Sequence, residues 1–174
     1  MSPMTSDDWP DATTMTGERL ELEPLRVEHA IELAPVLAHP ELYAFTGGEP
    51  PTTDQLTERY RHQVVGRSSD GSQRWLNWVV RRRADRVAVG YVQATVGAEE
   101  IEVAWLIGVE HQGHGYATEA TSLMAEGLRR HGARPLVAHV HPDHRASMRV
   151  ARSIGLVSTE IVLDGEVRWQ SPAQ

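Results

Sequence analysis

Hydrophobic and polar residues alternate along this chain with two periods, one of two residues and one of about 3.6 residues. The two-residue period predicts strands over 19–24, 75–82, 87–96, 101–107, 135–140, 156–163 and 166–170. The longer period predicts helices over 27–38, 52–65, 118–131 and 143–155. This order of elements indicates an α/β fold with a mixed sheet, in which antiparallel hairpins flank one strand–helix–strand crossover.

Local signals define the ends of several of these elements. In the first helix the apolar residues at helical spacing are Ala30, Ile31, Leu33, Ala34 and Leu37. Pro35 within it predicts a break or a kink. Thr52 followed by Gln55 is the signature of a capping box at the start of the second helix. Asp143 is predicted to cap the last helix, and Asp164-Gly165 favours a hairpin turn.

The stretch 101–120 carries the strongest signal for a binding site. It begins as a strand in which Ile101, Val103, Trp105 and Ile107 alternate with Glu102, Ala104 and Leu106. Gly108 ends this strand, and Gly113 and Gly115 precede an amphipathic pattern that opens at about Tyr116. Glycines let a backbone approach a ligand closely, and the free N–H groups of a helix N-terminus attract anions. The stretch therefore predicts a loop that holds the pyrophosphate of a coenzyme, although a tight turn without a ligand would use the same glycines.

Length and composition indicate one globular domain. The 174 residues suffice for a substantial core, and we expect a flexible lead-in over 1–16 followed by a single domain over 17–174. The chain has no cysteine, which excludes disulfides and thiol nucleophiles. The N-terminus lacks the pattern of a signal peptide, and no apolar run approaches the roughly 20 residues of a membrane span. We expect a cytoplasmic protein without membrane contact.

Charge narrows the classes of partner and mechanism. The formal net charge of −7 argues against nucleic acid as a partner and is compatible with a cationic substrate such as an amine. All 17 basic residues other than histidine are arginine. The absence of lysine excludes a Schiff base and a phosphate-loop lysine.

The segment from Gln112 to Ala120, QGHGYATEA, closely resembles the acetyl-CoA motif of GNAT-type N-acetyltransferases. Three further segments resemble the branch of that family that acetylates ribosomal proteins, the Rim-type branch: 17–22, 102–107, and 141–147 with Gly155-Leu156. They follow one another in the order of the family. The resemblance implies a mixed, mostly antiparallel sheet of about seven strands flanked by about four helices.

The resemblance also implies a set of residues that bind acetyl-CoA. The family pattern Q-x-x-G-x-(G/A) falls on Gln112, Gly115 and Ala117 and would hold the pyrophosphate. The full implied coenzyme site consists of Ile107, Gly108, Val109, Gln112, Gly113, His114, Gly115, Tyr116, Ala117, Thr118, His144 and Ser147. At His144 the family usually has an asparagine, and a histidine offers only one donor or one acceptor to the pantetheine arm.

Two residues are candidates for the chemistry that such an enzyme performs. Glu102 is the candidate general base that takes the proton of the attacking amine, with Glu99 and Glu100 as weaker rivals. A solvated carboxylate that only binds substrate is the alternative for Glu102. Ser147 is the candidate donor to the leaving thiolate, and a serine that bonds its own helix is the alternative. Many relatives use a tyrosine one turn further on, where this chain has Ala151.

Other clusters have both functional and structural interpretations. The side chains of His139, His141 and His144 suggest a metal site, but no carboxylate completes an obvious ligand set, and no metal is expected. A basic face of the last helix, which either reaches the coenzyme phosphates or is solvated, is formed by Arg145, Arg149 and Arg152. Aromatic residues that either line the acceptor cleft or belong to the core are Trp75, Trp78, Trp105 and Trp169.

The sequence therefore predicts transfer of an acetyl group from acetyl-CoA to a primary amine, by direct attack in a ternary complex. The alternatives are a non-catalytic acyl-CoA-binding module of the same fold and an acyltransferase that uses a larger thioester. A protein N-terminus, an amino acid, a polyamine and an aminoglycoside all remain open as acceptors. The sheet also offers a face for a homodimer, although no sequence pattern marks one.

Overall fold

A computed structural model describes residues 5–173 of the chain. The strands are β1 (Met15–Thr16), β2 (Leu20–Pro24), β3 (Arg74–Arg82), β4 (Ala88–Val96), β5 (Ile101–Ile107), β6 (Leu136–Val140), β7 (Val157–Leu163) and β8 (Glu166–Gln170). The helices are α1 (His29–Val36), α2 (Thr53–Gln63), α3 (Tyr116–His131) and α4 (Arg145–Ser153), and short 3₁₀ turns lie at 6–8, 40–43 and 109–111. The four predicted helices and seven predicted strands are confirmed, and β1 is an additional short strand.

The eight strands form a single sheet in the order β1-β2-β3-β4-β5-β6-β8-β7. Every neighbouring pair is antiparallel except β5 and β6, which are parallel and joined through α3. The predicted mixed and mostly antiparallel sheet is therefore confirmed. None of the helices in residues 5–173 is long and apolar enough to span a membrane.

Different helices cover the two faces of the sheet. α3 and α4 pack on one face, where the larger core contains Trp78, Val103 and Met124. α1 and α2 pack on the other face, around Leu56 and Val79. Because side chains alternate between the faces of a strand, Glu102, Ala104 and Leu106 of β5 lie on the α1–α2 side.

Several local predictions are confirmed, while two differ from the structure. The capping box of Thr52 and Gln55 is present at α2, and α1 ends at Val36, one residue after Pro35. Ile31 is 74% exposed, so its place in the buried stripe of α1 was predicted wrongly. It lies two positions from Leu33, which puts the two side chains about 200° apart around the helix axis.

The predicted cap of α4 is also wrong. The N-cap residue is His144, with no capping side-chain hydrogen bond, and the Asp143 side chain is exposed. The backbone N–H of Asp143 instead donates to Nδ1 of His141 at 3.1 Å. The turn before α4 is therefore one residue longer than predicted, and the helix begins after His144.

The segment before β2 is more firmly packed than the lead-in expected over 1–16. Trp9 is 2% exposed and belongs to the larger core. Its ring meets His131 at the end of α3 in an edge-on contact, with the centroids 5.9 Å apart. Met15 pairs with Leu22 across β1 and β2. Residues 1–4 lie outside the described part of the chain.

Candidate active site

An opening between β5 and β6 divides the sheet at this parallel pair. The two strands pair at Ile101 with Leu136 and at Glu102 with Val137, and nowhere beyond. Both nevertheless continue, β5 to Ile107 and β6 to Val140. Their carboxyl ends therefore diverge, and the segments 108–115 and 141–144 lie at the mouth of the opening.

Main-chain donors of β5 point into this opening. The Ile101 N–H donates to the carbonyl of Pro135 on the β6 side, whereas the Gly108 N–H donates to Val89 on the β4 side. The ladder between β4 and β5 continues without a bulge from Ile101 to Ile107, so its N–H groups alternate regularly. The N–H groups of Trp105 and Ile107 therefore point away from β4, into the space between the diverging strands.

The loop after β5 is held in place by Gln112. Its side-chain Nε2 donates to the carbonyl of Ile107 at 3.0 Å, which ties the loop to the last residue of the strand. Gly113 and Gly115 have φ angles of +81° and +80°, a region that disfavours side chains. At Gly108 a Cβ atom would lie 2.7 Å from Val36 of α1. The predicted glycine loop is therefore confirmed as a structure, and each of these three glycines has a steric reason.

Six consecutive backbone amides of this loop have no partner among the described residues. They belong to Gly113, His114, Gly115, Tyr116, Ala117 and Thr118. The first hydrogen bond of α3 is donated by Glu119 to the Gly115 carbonyl at 3.1 Å. Free amides at the start of a sixteen-residue helix, next to a loop with two left-handed glycines, form a site for an anion. The residues present therefore fit a pyrophosphate.

Arg19 supports the loop from the start of β2, a contact that sequence analysis missed. Its Nε donates to Glu119 at 2.7 Å, its Nη1 donates to the His114 carbonyl at 2.8 Å, and its guanidinium lies 4.9 Å from the centre of the Tyr116 ring. Burial would raise the pKa of Glu119, but hydrogen bonds from Arg19 outweigh it and lower that pKa. Glu119 is therefore anionic and fixes Arg19 against the loop. Only the tertiary approach of β2 to α3 reveals this contact.

Glu102 lies at the point where β5 and β6 separate. It is the last residue of β5 paired with β6, its side chain is exposed, and Oε1 lies 3.5 Å from Nδ1 of His139. Its rival Glu100 is bound to Arg168 at 2.6 Å, and this hydrogen bond lowers the pKa of Glu100. Glu99 is exposed in the preceding turn. The structure thus gives Glu102 a histidine neighbour and gives Glu100 a structural partner.

His144 and Ser147 meet at the start of α4, on the other side of the opening. Ser147 Oγ lies 3.4 Å from Nε2 of His144. The ring of His144 stacks on Phe45 at 4.5 Å, and Phe45 also contacts His141 at 5.1 Å. Burial and the neighbouring His141 lower the pKa of His144, so its imidazole is neutral at pH 7. Ala151, where relatives have a tyrosine, is fully buried.

The structure places the remaining candidate groups on the surface, in the core or partly buried. Arg145 and Arg149 are exposed, and Arg152 lies over Trp169 at 5.2 Å from the ring centre. Trp78 and Trp169 are core residues, whereas Trp75 and Trp105 are partly buried. Within residues 5–173 no three histidine or carboxylate side chains are arranged to hold a metal ion.

Comparison with known proteins agrees with this geometry. The model of the acetyltransferase (GNAT) domain family matches residues 19–157. A solved acetyltransferase from Agrobacterium tumefaciens superposes with a TM-score of 0.73 at 22% identity, over 95% of this chain and 97% of that one. No curated protein sequence matches the chain.

Two further similar structures contain the coenzyme. The ribosomal L7/L12 alpha-N-protein acetyltransferase RimL in complex with coenzyme A has a TM-score of 0.69 at 15% identity, over 91% of this chain and 97% of that one. AAC(6')-Ib, in complex with paromomycin and acetyl-CoA, has a TM-score of 0.72 at 15% identity, over 88% of this chain and 93% of that one. The family match covers well over half of the chain, which therefore belongs to the GNAT family of acetyltransferases.

Proposed function

We propose that this acetyltransferase transfers the acetyl group of acetyl-CoA directly to a primary amine, with both substrates bound at the opening between β5 and β6. The observation that carries the proposal is the combination of a divided sheet with six free amides at its mouth. The divided sheet offers an elongated chain a path between two strands, and the amides offer its phosphates an anchor. Acetyl-CoA supplies the activated thioester.

The coenzyme site follows from the loop and the start of α3. The amides from Gly113 to Thr118 hold the pyrophosphate, and Gln112 keeps the loop in register with β5. Gln112 acts through its bond to Ile107, so we infer that it positions the loop rather than touching the phosphates. Gly108 and Val109 lie where the pantetheine arm enters the opening. Arg19 supports the same loop through its hydrogen bond to the His114 carbonyl.

The free N–H groups of Trp105 and Ile107 would bind the acyl carbonyl. Donors fixed by a strand cost no reorganisation when negative charge develops on that oxygen. They point into the opening from the strand that also carries Glu102. One strand would therefore supply both the donors for the acyl oxygen and the base for the amine.

Glu102 would accept a proton from the amine as the nitrogen forms its bond to the acyl carbon. The carboxylate is exposed, faces the α1–α2 side and forms no hydrogen bond or ion pair with an arginine among the described residues. A bound water can relay the proton where the amine does not touch the carboxylate. His139, whose Nδ1 lies 3.5 Å from the carboxylate, is the side chain placed to orient Glu102.

Ser147 would serve the leaving group as the carbon–sulfur bond breaks. A hydroxyl at the first turn of α4 can donate its proton to the thiolate and regain one from solvent, while the neutral His144 at 3.4 Å orients the hydroxyl. The overall reaction balances, because the amine nitrogen loses one proton, which Glu102 passes to solvent, and the coenzyme gains one through Ser147 and leaves as a thiol. No covalent enzyme intermediate is required, and the chain has no cysteine to form one.

The proposal is tested by calorimetry with acetyl-CoA and by mass spectrometry of amines after incubation with both substrates. Binding in the micromolar range together with an acetylated amine is the expected result. Binding without any acetylated product from a broad amine panel would point to a non-catalytic acyl-CoA module. A succinyl-CoA competitor that outperforms acetyl-CoA would point to a larger acyl donor.

A further inference from the structure

A cavity of about 140 Å³ lies between α2 and the sheet, on the same side of the sheet as Glu102. Its walls are Leu25, Leu37, Leu56, Arg59, Tyr60, Gln63, Asn77, Trp78, Tyr91, Val92 and Gln93. Apolar side chains from α2, from the residues that follow β2 and α1, and from β3 and β4 form one part of the wall, and amide, phenol and guanidinium groups form the rest. No carboxylate lines the cavity.

Two hydrogen-bond donors at this cavity, the Tyr60 hydroxyl and the Arg59 guanidinium, have no partner among the described residues. Tyr60 is 4% exposed, and its hydroxyl has no partner among the described residues. Burial raises the pKa of both Tyr60 and Tyr91, so both hydroxyls stay protonated. Arg59 forms no ion pair with any residue of 5–173, whereas Arg61, two positions on, binds Glu58 at 3.0 Å. A buried hydroxyl and an unpaired guanidinium together favour a ligand group that is anionic and accepts hydrogen bonds.

Sheet register relates the cavity to Glu102. Gln93 in the cavity wall lies directly opposite Ala104 of β5, and Glu102 is the next residue of β5 on that face. Diagonal neighbours of this kind are about 7–8 Å apart. The Glu102 carboxylate at the β5–β6 opening and the Arg59 guanidinium at the cavity therefore lie on the same side of the sheet.

We infer that the acceptor is an amine with a carboxylate several atoms away from its nitrogen. The carboxylate binds Arg59 and the Tyr60 hydroxyl in the cavity, and the nitrogen lies at the opening next to Glu102. A polyamine or an aminoglycoside would place a cation where this chain has an unpaired guanidinium. The inference rests on the proposed function, because it uses the opening as the place of acetyl transfer.

Three small amines that share an aminopentyl chain test this preference. ε-Aminocaproate ends in a carboxylate, n-pentylamine in a hydrogen and cadaverine in a second ammonium group. We expect kcat/KM for ε-aminocaproate to exceed the values for both others by about tenfold or more. Equal values, or a preference for cadaverine, would overturn the inference and leave the proposed function intact.

Matched arginine variants locate the preference. Arg59→Gln should lower kcat/KM for ε-aminocaproate about tenfold and leave kcat/KM for n-pentylamine unchanged. Arg61→Gln lies on the same helix outside the cavity and should leave both unchanged. Tyr60→Phe should lower kcat/KM for ε-aminocaproate and leave kcat/KM for n-pentylamine unchanged. An Arg59→Gln variant that treats both amines like the wild type would contradict the assignment.

Calorimetry with ε-aminocaproate separates this inference from the proposed function, since it requires no turnover. We expect binding to the wild type that is lost in Arg59→Gln and kept in Arg61→Gln. If acetyl-CoA neither binds nor reacts while this pattern holds, the proposed function fails and the carboxylate site stands. If acetyl-CoA reacts with amines while ε-aminocaproate binds both variants alike, the carboxylate site is overturned alone.

Discussion

The carboxylate of Glu102 and the imidazole of His139 lie 3.5 Å apart across the last pair of β5 and β6. Each is on the face that α1 and α2 leave partly open, and the neighbouring Glu100 is engaged by Arg168. The contact depends on the parallel register of two strands that are separated in sequence by the whole of α3. It sets Glu102 apart from the other acidic residues before the loop.

Replacement of Glu102 by glutamine should therefore remove the general base. We expect kcat at pH 7 to fall by about 100-fold or more, with little change in acetyl-CoA affinity. The deficit should shrink near pH 10, because an alkylamine with a pKa of about 10.4 then loses its proton to solvent. Glu99→Gln, in the preceding exposed turn, is the matched control and should keep normal turnover. A Glu102→Gln variant with wild-type kcat across this range would remove the base from Glu102.

The hydroxyl of Ser147 should matter for the leaving group. Ser147→Ala is expected to lower kcat about tenfold or more, which corresponds to loss of one hydrogen bond to a charged group. Ser153 of the same helix donates to its own backbone at Val150, so Ser153→Ala is the control and should keep the wild-type rate. Steady-state rates of CoA release measure both. Equal rates in the two variants would assign Ser147 a structural role only.

Gly113 should be needed for coenzyme binding beyond its effect on stability. Gly113 and Gly165 both have φ of +81° and open space around the missing Cβ atom. Each alanine variant should therefore cost about 1–2 kcal/mol of unfolding free energy. Only Gly113→Ala should lower the affinity for acetyl-CoA, because Gly165 lies in the β7–β8 turn, away from the proposed coenzyme site. Calorimetry and urea unfolding of both variants test this, and equal acetyl-CoA affinities would contradict the placement of the pyrophosphate.

His29 should make the fold sensitive to mild acid. It is 3% exposed, and its burial lowers its pKa, with a further contribution from Arg26 against the opposing effect of Glu23. The unfolded chain then binds a proton at about pH 6.5 that the folded protein rejects. The free energy of unfolding should fall as pH drops below 6.5 towards the lower folded pKa.

Urea unfolding at several pH values between about 5 and 8 measures this slope. His29→Asn keeps an acceptor for the Arg26 N–H and cannot titrate, so its stability should vary less over that range. His62→Asn, on the exposed side of α2, should keep the wild-type slope. A slope unchanged in His29→Asn would show that other groups cause it.

Much of the fold could be predicted because each element carries its own signal. The alternation along β5, the capping box at Thr52 and the glycines after β5 act over a few residues, and all are present. The failed predictions concern single positions at element ends. Ile31 is apolar, as a buried helix position requires, and Asp143 is a residue type that often caps helices. Ile31 nevertheless lies on the outer side of α1, and one extra turn residue before α4 moves Asp143 out of the cap position, so both side chains are exposed.

The site could be predicted only in part, because some of its contacts join distant segments. Arg19 reaches the loop across about a hundred residues, and Phe45 reaches His144 from the segment between α1 and α2. The cavity at Arg59 likewise requires α2 to lie over β3 and β4. Periodicity indicates that Leu56 and Tyr60 share a face of α2, but it does not reveal which strands they cover.

Initial-rate kinetics with both substrates varied tests the central claim, direct transfer within one ternary complex, most directly. The assay records CoA release at several fixed concentrations of the most reactive amine. We predict reciprocal plots that intersect, because the amine attacks while acetyl-CoA is bound. Parallel lines, together with a protein whose mass rises by one acetyl group on exposure to acetyl-CoA alone, would contradict direct transfer at the β5–β6 opening.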